Sequence, residues 1–211
     1  ITMYGWKEGV TQGFDIVTYT GNDSATQTVG HSLGVKPGYM ILMRRDTGMQ
    51  STAWHAALTG DNYMVTMSTV GYGAETASSS NFAASHDLDN FVVDNTGNTE
   101  NGTYVMYLWA DVPGFQKHGS FTGNGSDDGS FIWTGFRPRC LHLRRFDGNR
   151  SPYIYNTDAN PFNQDPGTTG SVWGATYVEL ALNIEIDILS NGFKLREGAA
   201  DINGLGITKH M

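Results

Sequence analysis

The strongest constraint on this chain is that most of its turns and apolar stretches occur twice. Residues 13–24, GFDIVTYTGNDS, return as residues 114–126, GFQKHGSFTGNGS, with one residue inserted. Gly34-Val35-Lys36-Pro37 is matched by Gly135-Phe136-Arg137-Pro138, and Ile41-Leu42-Met43-Arg44-Arg45 by Leu141-His142-Leu143-Arg144-Arg145. Further on, residues 89–93 are answered by 191–195 and Asn101-Gly102 by Asn203-Gly204, so the offset stays between 100 and 102. Chance similarity in a Gly-rich chain does not keep order and spacing over five blocks, and a repeat of this length sets the fold before any local pattern does. The chain therefore reads as two diverged repeats, about 13–112 and 114–211, folded as a single β-sandwich domain spanning residues 1–211. One block departs from the match. A strong apolar strand pattern from Thr103 to Ala110 follows the first Asn-Gly, whereas Leu205-Gly206-Ile207-Thr208-Lys209-His210-Met211 follows the second. The second copy looks truncated or rewritten at its last strand, which leaves open whether a neighbouring chain donates that strand.

Local patterns agree with an all-β reading. There are 27 glycines and only 16% charged residues, and Thr, Ser and Asn gather where the apolar runs stop, as many short strands joined by tight turns require. Residues 177–189 alternate, with Val178, Leu180, Leu182, Ile184, Ile186 and Ile188 on one face and Glu179, Asn183, Glu185 and Asp187 on the other. That spacing predicts one half-buried strand with a solvated acidic face. Ser190-Asn191-Gly192 then predicts a hairpin turn that brings Phe193-Lys194-Leu195 back alongside. The near-continuous apolar runs Tyr39 to Met43 and Tyr104 to Ala110 predict strands covered on both faces or lying at a subunit contact. No dozen residues keep a helical period with caps, so helix content should be low. Residues 71–89 and 156–174 read as long loops at corresponding places in the two copies, where differences in function would sit.

Several classes of function are disfavoured. The formal charge of −8 and pI near 5.0 leave no clustered Lys and Arg to displace counterions, so nucleic acid is not an expected partner. Cys140 is the sole cysteine, which rules out an intrachain disulfide and a cysteine zinc cluster. No apolar stretch approaches the length of a membrane span, so membrane insertion is not expected. The six histidines are scattered without helical zinc spacing, and no nucleophile with its base or phosphate-binding loop is recognisable. The chain is accordingly expected not to be an enzyme.

The candidate binding residues lie in turns and loops. Asp127 and Asp128, in Gly125-Ser126-Asp127-Asp128-Gly129, could offer oxygens to calcium, although a plain β-turn explains the same residues. No other cofactor is expected. Arg44-Arg45 and Arg144-Arg145 could contact an acidic partner, or each pair could hold the Asp-containing turn beside it. Trp54, Tyr72, Tyr153, Tyr155 and Trp173 are the aromatics that could stack on sugar rings, whose apolar faces suit an aromatic platform.

The phrases at residues 13–22, 119–126 and 131–138, with 186–195, resemble a duplicated domain in virion proteins of tailed phages, especially marine ones. The resemblance covers nearly the whole chain. It implies a jelly-roll-like antiparallel sandwich of the concanavalin or laminin-G kind on the virion particle surface. It further implies a tail-fibre or other structural role, other virion subunits as partners, and a homo-oligomer. The leading expectation is a non-enzymatic tail-fibre or appendage module that attaches to host-surface carbohydrate. A capsid decoration, head-fibre or connecting protein is the first alternative and a glycan depolymerase the second, because one architecture hosts all of these.

Overall fold

The computed structural model describes residues 5–48, 51–57, 63–67, 76–77, 82, 86–94, 97–145, 153–158, 163, 169–172, 179–181, 185–198, 202–206 and 208–210. Among them there are seventeen strands, a 3-10 turn at Val10–Gln12 and no α-helix. Among the described residues the strands pair antiparallel throughout. The chain is an all-β protein of sandwich-like sheets, as its turns and alternation predict. The chain divides into two compact units, one of Ile1–Met67 with Glu75–His118 and one of Ser68–Ala74 with Gly119–Met211.

The first unit contains β1 (Phe14–Thr20), β2 (Thr26–Gly30), β3 (Tyr39–Arg44), β4 (Ser51–His55), β5 (Tyr63–Met67), β6 (Thr76–Ala77), β7 (Asn90–Asp94) and β8 (Thr103–Trp109). Six of them form a sheet in the order β1-β8-β3-β4-β5-β6, and β2 pairs with β7. Alternation explains which side chains meet. Met40, Leu42, Trp54, Tyr104, Met106 and Leu108 leave one face of the large sheet and pack with Phe91 and Val93 of the small one. β3 and β8 are apolar on both faces, since their other face carries Tyr39, Ile41, Met43, Val105, Tyr107 and Trp109, of which Ile41 is buried and Met43 exposed.

The second unit contains β9 (Ser120–Thr122), β10 (Phe131–Trp133), β11 (Cys140–Arg145), β12 (Tyr153–Asn156), β13 (Thr169–Val172), β14 (Glu179–Ala181), β15 (Ile186–Leu189), β16 (Gly192–Leu195) and β17 (Thr208–His210). Its large sheet runs β9-β17-β11-β12-β13-β14, strand for strand the order of the first unit, and its small sheet runs β10-β16-β15. Ile132, Leu141, Leu143, Tyr155, Ile186, Ile188, Phe193 and Leu195 form its core. The predicted hairpin is present, with Leu189 opposite Gly192 across Ser190 and Asn191. The long strand expected over 177–189 is instead two strands, β14 and β15, and they lie in different sheets. The last strand is not missing either. β17 lies between β9 and β11 as β8 lies between β1 and β3, although it has three residues against seven.

The sheet registers refine the repeat. Tyr39 faces His55 and Cys140 faces Asn156; Arg44 pairs with Tyr104 and Arg145 with Lys209. Arg44 therefore corresponds to Arg145, one place away from the match read in the sequence. Arg44 does hold its turn, donating from Nε to Asp46 Oδ1 at 2.7 Å and from an Nη to Oδ2 at 3.1 Å. The repeated Gly-Asn-x-Ser turns have a matching purpose. Asn98 is fully buried, its Nδ2 donating to Asn22 Oδ1 and the Ser24 carbonyl at 2.9 and 2.8 Å while its Oδ1 accepts from Asn22 N–H. Asn203 repeats these bonds onto Asn124 and Ser126 at 2.9 and 2.8 Å. Asn203 thus corresponds to Asn98, where sequence order alone had paired it with Asn101. A Cβ on Gly21 or Gly123 would lie 2.1 Å from the Thr99 carbonyl oxygen or 2.4 Å from that of Gly204, so the clasp admits only glycine there.

Candidate functional site

Of the aromatics singled out in the sequence, Trp54, Tyr153 and Tyr155 lie among the described residues. Trp54 and Tyr155 occupy corresponding inward positions of β4 and β12, opposite Met40 and Leu141, and are only 9% and 3% exposed. They serve as core residues, and neither presents a ring face for stacking. Their positions in the strands turn them inward, which a loop reading of the sequence had missed. Tyr153 is half-buried against the second core. Tyr72 and Trp173 lie outside the described residues.

Asp127 and Asp128 engage protein donors. Asp127 Oδ1 accepts from Gly198 N–H at 2.9 Å, and Asp128 Oδ1 lies 2.6 Å from Lys194 Nζ and 3.6 Å from an Arg196 Nη. The hydrogen bond and charge of Lys194 hold the Asp128 carboxyl below its usual range. Among the described residues no group of three or more His, Cys, Asp or Glu is placed to hold a metal ion.

A surface platform appears at β10 instead. β10 is the edge strand of the small sheet in the second unit, and its central Ile132 points into the core. Phe131 and Trp133, one residue to each side, therefore share the outward face, and they are 46% and 60% exposed. Cross-strand register sets their neighbours. Phe131, Lys194 and Asp187 form one outward row across β10, β16 and β15, and Trp133, Gly192 and Leu189 form the next. Both rings lie close over glycine. A Cβ on Gly192 would come within 2.9 Å of the Phe131 ring, and one on Gly135, whose φ is +86°, within 3.1 Å of the Trp133 ring.

Charges rim this platform in pairs. Lys194 pairs with Asp128, and Arg196 Nε donates to Asp187 Oδ2 at 2.5 Å. The acidic face predicted for 177–189 is thus not solvated at Asp187, which is buried beside Arg196. The corresponding outward positions of β2, read from its register with β7, are Thr28 and Gly30. The platform belongs to the second unit, and the first unit has no matching pair of rings at these positions. Sequence reasoning missed it because Phe131-Ile132-Trp133 is continuously apolar; comparison with Thr28 and Gly30 was the signal that could have found it.

A second aromatic group lies on the outward face of the large sheet in the first unit. Trp109 contacts Trp6, Phe14 and Tyr39 at ring-centroid distances of 5.7, 5.2 and 5.6 Å, and His118 stacks on Tyr39 at 6.4 Å. Phe14 is buried in this group, whereas Trp6 is 47% exposed. Asp111 accepts from His118 N–H at 2.7 Å, lies 3.0 Å from His118 Nδ1, and ion-pairs with Lys117. Burial opposes ionisation of Asp111, but the hydrogen bonds from His118 and Lys117 outweigh it and hold the carboxyl far below its ordinary range. No helix among the described residues is long and apolar enough to cross a membrane.

The fold and this surface define an all-β, sandwich-like protein with an outward aromatic platform on β10. A family model described as "Domain of unknown function (DUF7483)" matches residues 8–209, and the chain belongs to that family. No curated protein and no solved structure matches it.

Proposed function

We propose that this chain is a non-enzymatic carbohydrate-binding module, carried on a surface appendage such as the tail fibre of a phage virion and used to attach to a host-surface glycan. The observation that carries this reading is the pair Phe131 and Trp133, two large rings held side by side on an edge strand and open to solvent. Exposed tryptophan with polar groups at its rim is the surface a sugar ring needs, with C–H bonds against the ring face and hydroxyls toward the rim. The pleat of β10 places both positions outward once Ile132 is in the core, but nothing in that core requires large rings there. The resemblance of residues 13–22, 119–126 and 131–138 to virion proteins supports the appendage setting.

A glycan array probed with the whole chain and with Trp133→Ala tests this. Binding to a defined glycan that the variant loses is expected; binding equal in both proteins, or absent from both, overturns it. A purely structural role in a capsid or connector is the second reading. It is favoured by the exposed Ile16 and Met43 on the outward face of the first unit's large sheet, where a neighbouring subunit could pack. Labelling intact particles with antibody to this chain separates the two, since head-lattice labelling favours the connector and fibre-tip labelling the adhesin.

A further inference from the structure

We infer that the platform on β10 takes a linear, uncharged oligosaccharide laid along the strand, with neighbouring sugars stacked on Phe131 and Trp133. This rests on the carbohydrate-binding reading above and names its ligand class. Three observations support it.

The first is spacing. Phe131 and Trp133 are two residues apart on one strand, so their anchors are about 7 Å apart along β10. A single sugar ring covers one aromatic face at a time. Two rings in a row therefore reward a ligand of at least two connected sugars, and a ligand that runs with the strand. A branched or compact sugar engages one ring and leaves the other wet.

The second is charge. The cations beside the rings are Lys194 and Arg196, and each already has its carboxylate, Asp128 at 2.6 Å and Asp187 at 2.5 Å. Asp127 adds a third acid to the same rim, bound to Gly198 N–H. An anionic sugar would have to break one of these ion pairs to find a cation and would meet three carboxylates in doing so. An uncharged sugar meets no such penalty. Its hydroxyls can donate to Asp128, which is widely exposed, and accept from Lys194 without separating the pair.

The third is rigidity. Gly192 and Gly135 let the rings lie close to the backbone, and Ile132 between them is locked in the core. A platform already in place loses little side-chain freedom on binding, which favours stacking as the main source of affinity.

Calorimetric titration of the whole chain decides the matter. The probes are gluco-, manno-, galacto- and xylo-oligosaccharides of increasing length, beside galacturonate and sulfated oligosaccharides, at low and high salt. The expected result is binding to a neutral series that strengthens from the monosaccharide to the disaccharide and longer. It should be unaffected by salt and weakened about tenfold or more by either Phe131→Ala or Trp133→Ala, the usual loss for an anchoring aromatic. Lys194→Met should weaken neutral binding far less than either aromatic variant, because one exposed hydrogen bond contributes less than a stacked ring. Binding confined to anionic sugars, weakened by salt and by Lys194→Met, would overturn the inference and leave the carbohydrate reading standing. Neutral binding that does not grow with chain length would overturn the two-ring placement. Absence of binding to every probe would overturn both.

Discussion

Lowering the pH from 8 to 4.5 should destabilise the first unit through one side chain, His86. The imidazole is 5% exposed and is wedged between Trp54 and Phe82, with ring centroids 4.6 and 6.0 Å away and planes at 77° and 87°. Its Nδ1 accepts from Val92 N–H at 3.2 Å, which fixes the neutral tautomer with the proton on Nε2. Nε2 has no hydrogen-bond partner among the described residues. Protonation would put a charge into this apolar contact and aim a second N–H at Val92. Burial above all, then the charges of Lys36 and His31, hold the pKa down to about 4 against the ordinary 6.5, while Asp87 works weakly the other way. Because the folded value is the lower one, the unfolded chain takes up a proton that the folded chain refuses. Stability is therefore intact above about pH 6.5, falls between 6.5 and 4, and levels off below 4. A gap of about 2.5 pH units corresponds to roughly 3 kcal/mol in full, of which about 2.5 kcal/mol is lost by pH 4.5. That is a large share of the 5–15 kcal/mol typical of a domain. The assay is urea unfolding at pH 8 and 4.5 for the natural chain and for His86→Gln, whose amide can still accept from Val92 N–H but cannot titrate. The natural protein should lose about 2.5 kcal/mol more than the variant over this interval. Carboxylates held below their usual range, such as Asp87 and Asp111, release their share of stability at lower pH and contribute equally to both proteins. Equal pH slopes would refute the argument, as would a His86 ring titration by NMR near 6.5.

Other consequences are open to test. Asn98→Ala should cost about 3 kcal/mol by leaving the Asn22 N–H and the Ser24 carbonyl without their partner, and Asn203→Ala should cost at least as much because Asn203 also donates to the Glu197 carbonyl at 2.8 Å. Chemical unfolding measures both. Gly21→Ala should lower the melting temperature sharply, since its methyl would strike the Thr99 carbonyl, whereas Gly48→Ala, with nothing within 4 Å, should change stability by less than about 0.5 kcal/mol. Trp133→Ala should likewise leave the unfolding midpoint within about 0.5 kcal/mol of the parent, because the ring is largely solvated, and a larger loss would mean that the ring is part of the core.

The sequence by itself determined what is local in this protein. Positive φ and close approach demand glycine, so the Gly-Asn-x-Ser turns could be found wherever they recur. The hairpin at Ser190-Asn191 was legible because a two-residue turn sets its own register. Alternation showed that β3 and β8 have two apolar faces and that Ile186 and Ile188 are buried. It could not say what covers a face, because period 2 only sorts side chains into two sets. Asp187 therefore looked solvated until β16 brought Arg196 beside it, and Trp54 and Tyr155 looked like loop aromatics until their strands turned them inward. Pairing of strands far apart in the chain was decided only by the tertiary structure. That pairing put β17 between β9 and β11, matched Asn203 to Asn98, and gave each copy its own core. It also made β10 an edge. Once Ile132 was committed to the core, the pleat of the strand left Phe131 and Trp133 no face but the outer one.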